Sequence, residues 1–185
     1  MRADGVVRDL GDGVGMVLRG PELAEEYHRV LLGNRARLLR WDPGAMPDPL
    51  TVAKVRERMA RDAFEALTGV RVPVAIVVRD GEGWRIAGGA SLRLGRRGTG
   101  EIGYWVDAAV EGRGVACRAV SALLEYGFTE LGLRQVRLST DAGNHRSRAL
   151  ARRLGFTPEH RAPAEADRTG EIAYTLAAGH WRRPG

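Results

Sequence analysis

The spacing of apolar residues changes period along the chain, and each change marks an element. Leu23, Tyr27, Val30 and Leu31 recur at helical spacing behind Pro21, a residue suited to a first helical turn. Val52, Val55, Met59, Phe64 and Leu67 predict a second helix. Between them Trp41–Leu50 carries three prolines and a glycine and reads as a loop. Met16–Leu18 can open the fold as a strand. Val74–Val78 and Trp84–Leu94 flank the turn Asp80-Gly81-Glu82-Gly83 and predict an antiparallel hairpin. The turn Gly95–Gly100 then leads to a strand, Glu101–Val106. An amphipathic helix follows through Ala116, Val120, Leu123, Leu124, Phe128 and Leu131, closed by Gly132. Val136, Leu138 and Thr140 alternate as a strand, and Asn144–Leu154 is a helix ended by Gly155. Phe156 begins the next strand, and Ile172–Leu176 is the last. Antiparallel strands first and a β-loop-α-β unit afterwards give a mixed α/β fold.

Composition narrows the classes. The chain has 185 residues, 44% of them hydrophobic, enough to build a core in one domain. Residues 1–15 are rich in glycine and aspartate and are expected to be a flexible segment, with a single domain over 16–185. No apolar run approaches the ~20 residues that span a bilayer, and the start lacks the apolar region of a secretion signal. The single cysteine, Cys117, leaves no intramolecular disulfide, so a reducing, cytoplasmic setting is expected. Cys117 itself reads as a packed thiol rather than a nucleophile. No metal site is expected, because the four histidines show no ligand spacing.

A net charge of +6 suggests an anionic partner. Lys54 is the only lysine, however, and the arginines are scattered among carboxylates along the whole length. Aromatics make up only 6% of the chain, which argues against nucleic acid. A phosphate-bearing small ligand explains the charge equally well.

The strand Glu101–Val106 feeds the loop Glu111-Gly112-Arg113-Gly114-Val115-Ala116, which opens a helix. Helix N-termini present unpaired N–H groups, and glycines let that backbone approach an anion closely. The loop lacks Gly-Lys-Ser/Thr, so it is not a nucleoside triphosphate loop, and it lacks the third glycine of the dinucleotide fingerprint.

Aligned on Gly114 and Ala116, the segment resembles motif A of the GCN5-related N-acetyltransferases, Gln/Arg-x-x-Gly-x-Gly/Ala. Val106 lies at that family's distance from the loop, and Asn144 through Gly155-Phe156 resembles its second signature. The finer likeness is to the RimJ/RimL-like branch. It is carried by Val17-Leu18-Arg19-Gly20, the segment Asn34 to Trp41, Glu101 to Val106, Asn144-x-x-Ser147, and Tyr174-Thr-Leu with Trp181. The resemblance is loose before residue 80, where the family places substrate-selecting helices. It implies a central, mostly antiparallel sheet flanked by helices and splayed between the family's fourth and fifth strands.

The resemblance also implies acetyl-CoA as cosubstrate and a primary amine as acceptor, foremost a protein or peptide N-terminal α-amine. Pantetheine would pair with the backbone of Tyr104, Trp105 and Val106. The pyrophosphate would rest on Gly112, Arg113, Gly114, Val115 and Ala116, with charge added by Arg113 and Arg118. Asn144 would hydrogen-bond pantetheine, and Arg148 or Arg152 would reach the adenosine phosphates. Many members place a tyrosine seven residues after that asparagine to assist the leaving thiolate; here the position is Ala151, and Ser147 is the candidate instead. Glu101 is the candidate base, sharing a strand face with Gly103 and Trp105, and Glu171, His145 and Asp141 remain open. Glu111 departs from the family's Gln/Arg: a carboxylate there repels a pyrophosphate unless it turns to solvent or pairs with an arginine. The alternatives are acetylation of a small-molecule amine, such as an antibiotic or polyamine, and a non-catalytic acyl-CoA-binding module. Relatives often form homodimers; no membrane partner is expected.

Overall fold

The computed structural model describes residues 8–159 and 170–183, which form two compact units. One comprises the described residues up to Ser91 together with Tyr104–Ala119; the other is Leu92–Gly103 with the described residues from Val120 onward.

In the first unit, β1 (Arg8–Asp9) pairs antiparallel with β2 (Val14–Leu18), which in turn pairs with β3 (Arg71–Asp80), Val14 opposite Val78 and Leu18 opposite Val74. β3 is buried without interruption from Pro73 to Val78, as its unbroken apolar run requires. Residues 1–7 of the expected flexible segment lie outside the described residues. Its remainder forms β1, a turn and the start of β2: Gly11 and Gly13 take positive φ (82° and 68°), and Asp9 accepts from the Gly11 N–H (2.8 Å). β4 (Gly83–Leu94) and β5 (Thr99–Val106) complete the order β1-β2-β3-β4-β5.

Three helices pack within this unit: α1 (Ala24–Gly33), α2 (Arg35–Trp41) and α3 (Val52–Leu67). The Thr51 hydroxyl accepts from the Lys54 N–H (3.2 Å) and caps α3. Along α3, Val55, Met59 and Asp62 are all buried, so a carboxylate occupies the apolar row. It is countered by Arg19 (2.7 Å) and Arg71 (3.4 Å). Burial works against the Arg19 charge, but Tyr27 and Asp62 outweigh it and raise its pKa.

In the second unit the strand order is β4-β5-β6-β8-β7, with β6 (Gln135–Asp141), β7 (Thr157–Pro158) and β8 (Glu171–Ala177). β6 and β8 form a seven-pair antiparallel ladder from Gln135 opposite Ala177 to Asp141 opposite Glu171. β5 runs parallel to β6, whereas the β1–β2, β2–β3, β6–β8 and β7–β8 pairings are antiparallel. α4 (Val115–Thr129) packs Leu123 and Leu124 in this unit, and Gly127 keeps room for Leu92 and Leu133. α5 (His145–Arg153) buries Ala151 and ends at Gly155, whose φ is 84°.

Candidate active site

The sequence-predicted residues divide between the units. The first holds Tyr104, Trp105, Val106 and the loop from Gly112 to Ala116; the second holds Glu101, Asn144, Ser147 and Arg148.

In the first unit, Gly112 and Gly114 have φ of 75° and 74°, and a Cβ added at either would meet nothing within 4 Å. The loop backbone is therefore open to a ligand, and β-carbon strain is what requires glycine there. The first bond of α4 runs from the Arg118 N–H to the Gly114 carbonyl (3.0 Å), leaving the N–H groups of Val115, Ala116 and Cys117 ahead of it. Arg113 is exposed beside them, whereas Arg118 is ion-paired with Asp12. This donor set, with a helix N-terminus behind it, fits a diphosphate.

Sequence reasoning missed the side chains that hold this loop in place. Asn34, between α1 and α2, is buried and uses its whole amide. Its Nδ2 donates to the Val30 carbonyl (2.9 Å) and to Asp107 Oδ1 (3.0 Å), and its Oδ1 accepts from the Ala108 N–H (3.1 Å) and Arg37 (2.7 Å). Arg37 also donates to the Val106 carbonyl and to Glu111 Oε1 (2.5 Å). Asp107 caps the turn Ala108–Val110 and faces Arg85 (3.4 Å). Glu111 therefore pairs with an arginine, the condition under which a carboxylate beside a diphosphate is tolerated. Asn34 belongs to a segment the resemblance singled out, but its partners Asp107 and Ala108 lie 73 and 74 residues away and no local pattern marks them.

The Trp105 side chain does not line an open site. Its indole N–H donates to the Tyr27 hydroxyl (3.2 Å), and the two rings meet edge to face at 5.5 Å. Of the three residues expected on one face, Glu101 and Gly103 are exposed whereas Trp105 is buried. Packing against Tyr27 takes the tryptophan inward.

In the second unit β5 makes a parallel ladder to β6 that is three pairs long, Thr99–Glu101 opposite Gln135–Arg137. Asn144 caps α5, its Oδ1 accepting from the Ser147 N–H (3.1 Å), which leaves Nδ2 as a donor for a ligand. Ser147 is half-buried on the first turn of α5. The Arg148 guanidinium donates to the Ala142 carbonyl (2.8 Å) and the Tyr174 hydroxyl (3.4 Å), fastening α5 to β6 and β8. Cys117 is a free, half-buried thiol. Among the described residues no helix is long and apolar enough to cross a membrane, and no cluster of three metal-ligating side chains occurs.

Comparison with known proteins agrees with this geometry. Residues 16–157 match the family model of the acetyltransferase (GNAT) domain. A Bacillus subtilis (strain 168) protein, "Putative ribosomal N-acetyltransferase YdaF", is 32% identical over 149 residues, 77% of this chain and 76% of its own. The ribosomal-protein-S5-alanine acetyltransferase of Vibrio fischeri superposes with a TM-score of 0.82 at 20% identity, covering 96% of this chain and 99% of that one. The microcin C7 self-immunity acetyltransferase MccE, solved with acetyl-CoA and AMP, superposes with a TM-score of 0.74 at 18% identity, covering 91% and 94%. The chain belongs to the GCN5-related N-acetyltransferase family and is an acetyl-CoA-dependent N-acetyltransferase.

Proposed function

We propose that the acceptor is the N-terminal α-amine of a protein, foremost a ribosomal protein in the bacterial cytoplasm. The observation that carries this reading is the ribosomal substrate in the name of the 32%-identical relative, which matches over three quarters of both chains.

The donor side follows from the loop. The N–H groups of Gly112, Gly114, Val115 and Ala116 take the diphosphate, and Arg113, whose own N–H donates to the Val110 carbonyl (3.4 Å), adds side-chain charge. The main chain of Tyr104, Trp105 and Val106 pairs with the amides of pantetheine as a strand would. The Val106 carbonyl retains a second lone pair beside Arg37 for such a bond. For Asn144 Nδ2, the family resemblance supports a role as a pantetheine donor. Arg148, engaged with Ala142 and Tyr174, serves α5 instead, so the phosphate charge falls to the exposed Arg113 and Arg152.

Bound acetyl-CoA supplies an acetyl group activated as a thioester. An aliphatic ammonium, with a pKa of roughly 8–10, must lose a proton before it can attack. Exposed Glu101 takes that proton directly or through water. The Ser147 hydroxyl donates to the departing thiolate, whose conjugate thiol has a pKa of ~8.5.

Thiol release with acetyl-CoA and N-terminal peptides of ribosomal proteins tests the reading, with the acetylated nitrogen located by mass spectrometry. Acetylation of the α-amine is expected. Turnover confined to polyamines or aminoglycosides would replace it with the small-molecule alternative, and binding without turnover on any amine would leave a sensing module.

A further inference from the structure

Glu111 places a carboxylate one residue before the glycines of the proposed diphosphate loop, where it opposes an anionic ligand. Its counter-charge comes from α2, 74 residues earlier in the chain, through the 2.5 Å contact between Arg37 Nη1 and Glu111 Oε1. The other arm of the same guanidinium reaches the Val106 carbonyl, the last of β5, and the Asn34 amide oxygen (2.7 Å). One planar fork thus joins the end of the strand to the start of the loop. Asn34 anchors the intervening turn at Asp107 and Ala108. Both side chains of the pair are mostly shielded, with 30% and 20% of their surface exposed, so solvent screens the pair less than a surface one.

We propose that Arg37 is a positioning residue for acetyl-CoA: it neutralises Glu111 and fixes the loop of Gly112–Ala116 against the end of β5. The proposal rests on the acetyl-CoA reading of this loop. Arg37 acts through its bonds to Val106, Glu111 and Asn34, so its effect is expected on cofactor affinity rather than on the chemical step. A lysine substitutes poorly, because one ammonium nitrogen lacks the rigid fork that meets the carboxylate and the carbonyl with separate nitrogens.

The test is calorimetric titration of acetyl-CoA into the full chain and its Arg37→Ala, Glu111→Gln, double and Arg37→Lys variants, each with its melting temperature. Arg37→Ala is expected to weaken binding at least tenfold, because it removes the guanidinium that contacts Glu111 at 2.5 Å beside the diphosphate. The double variant is expected to regain most of that loss, since the repelling carboxylate is gone. Arg37→Lys should bind at least threefold more weakly than the parent chain. A purely architectural role predicts the opposite ordering, with the double variant as weak as Arg37→Ala or weaker, and that result would overturn the proposal. Unchanged affinity in Arg37→Ala would overturn it as well. If Arg37→Ala does not fold, Arg37→Lys decides: affinity equal to the parent chain rejects the bridging role. Failure of the parent chain itself to bind acetyl-CoA rejects the reading of the loop, and the proposal with it.

Discussion

Under the proposed function Asn144 has two tasks, one for each end of its amide. Its oxygen caps α5 by accepting from the Ser147 N–H, and its nitrogen is assigned to pantetheine. Alanine removes both, so Asn144→Ala should lose ~1 kcal/mol of stability with the cap and weaken acetyl-CoA binding by about 1–2 kcal/mol. Aspartate separates them. Asn144→Asp keeps the capping oxygen and should melt like the parent chain while still binding acetyl-CoA roughly tenfold more weakly, about 1.4 kcal/mol. Equal affinity in the aspartate variant would remove Asn144 from the site. Ser147→Ala should lower kcat far more than cofactor affinity, and equal losses in the two would make Ser147 a binding residue only. Asp62 belongs to stability rather than chemistry: its removal takes from buried Arg19 the carboxylate at 2.7 Å, while Arg71 keeps Glu65 (2.9 Å). Asp62→Ala should therefore cost about 3–5 kcal/mol in urea unfolding, and a loss below about 1 kcal/mol would contradict the buried pairing. At this scale the sequence discloses local partnerships only. Asn144 and Ser147 are three residues apart and legible as a helix start, whereas Arg37 and Glu111 meet through the fold.

The elements were legible wherever one period governs a whole segment. α3, the hairpin of β3 and β4, α4 and β6 form where their apolar spacing places them, although Phe64 and Leu67 are exposed and α4 ends at Thr129, ahead of Gly132; positive φ at Gly155 marks the end of α5. The break between α1 and α2 was not, because Asn34 ends one helix and starts the next through tertiary hydrogen bonds. Nor was the inward turn of Trp105, which depends on Tyr27 from a different element. The closeness of β4 and β5 gives a test. A Cβ on Gly88 would collide with the Trp105 carbonyl oxygen and lie 3.0 Å from Val106 Cα, both backbone atoms. Gly88→Ala should thus cost ~1–3 kcal/mol and weaken acetyl-CoA binding by displacing the strand assigned to pantetheine. Gly103→Ala, whose Cβ meets nothing within 4 Å, is the control and should not lower the melting temperature. Equal stability of the two variants would show that β5 can shift at no cost.

For the whole molecule, the two motifs between 101 and 156 sufficed to identify the family, because both form where main chain, glycine conformation and a helix start coincide. The acceptor was not legible, since the resemblance loosens before residue 80, where the family selects its substrates. The excess charge of +6 does not name a partner either: arginines that looked available for phosphate, Arg118 and Arg148, are engaged with Asp12 and with Ala142 and Tyr174. The backbone of the loop and the end of β5 remain the centre of the account. The measurement that tests it most directly is the melting temperature with and without saturating acetyl-CoA. A ligand at ~100 times its Kd adds about 2.7 kcal/mol, and for a chain of this size each kcal/mol raises the melting temperature by roughly 2–4 °C. A rise of several degrees is the result predicted here; no rise at millimolar acetyl-CoA would contradict it.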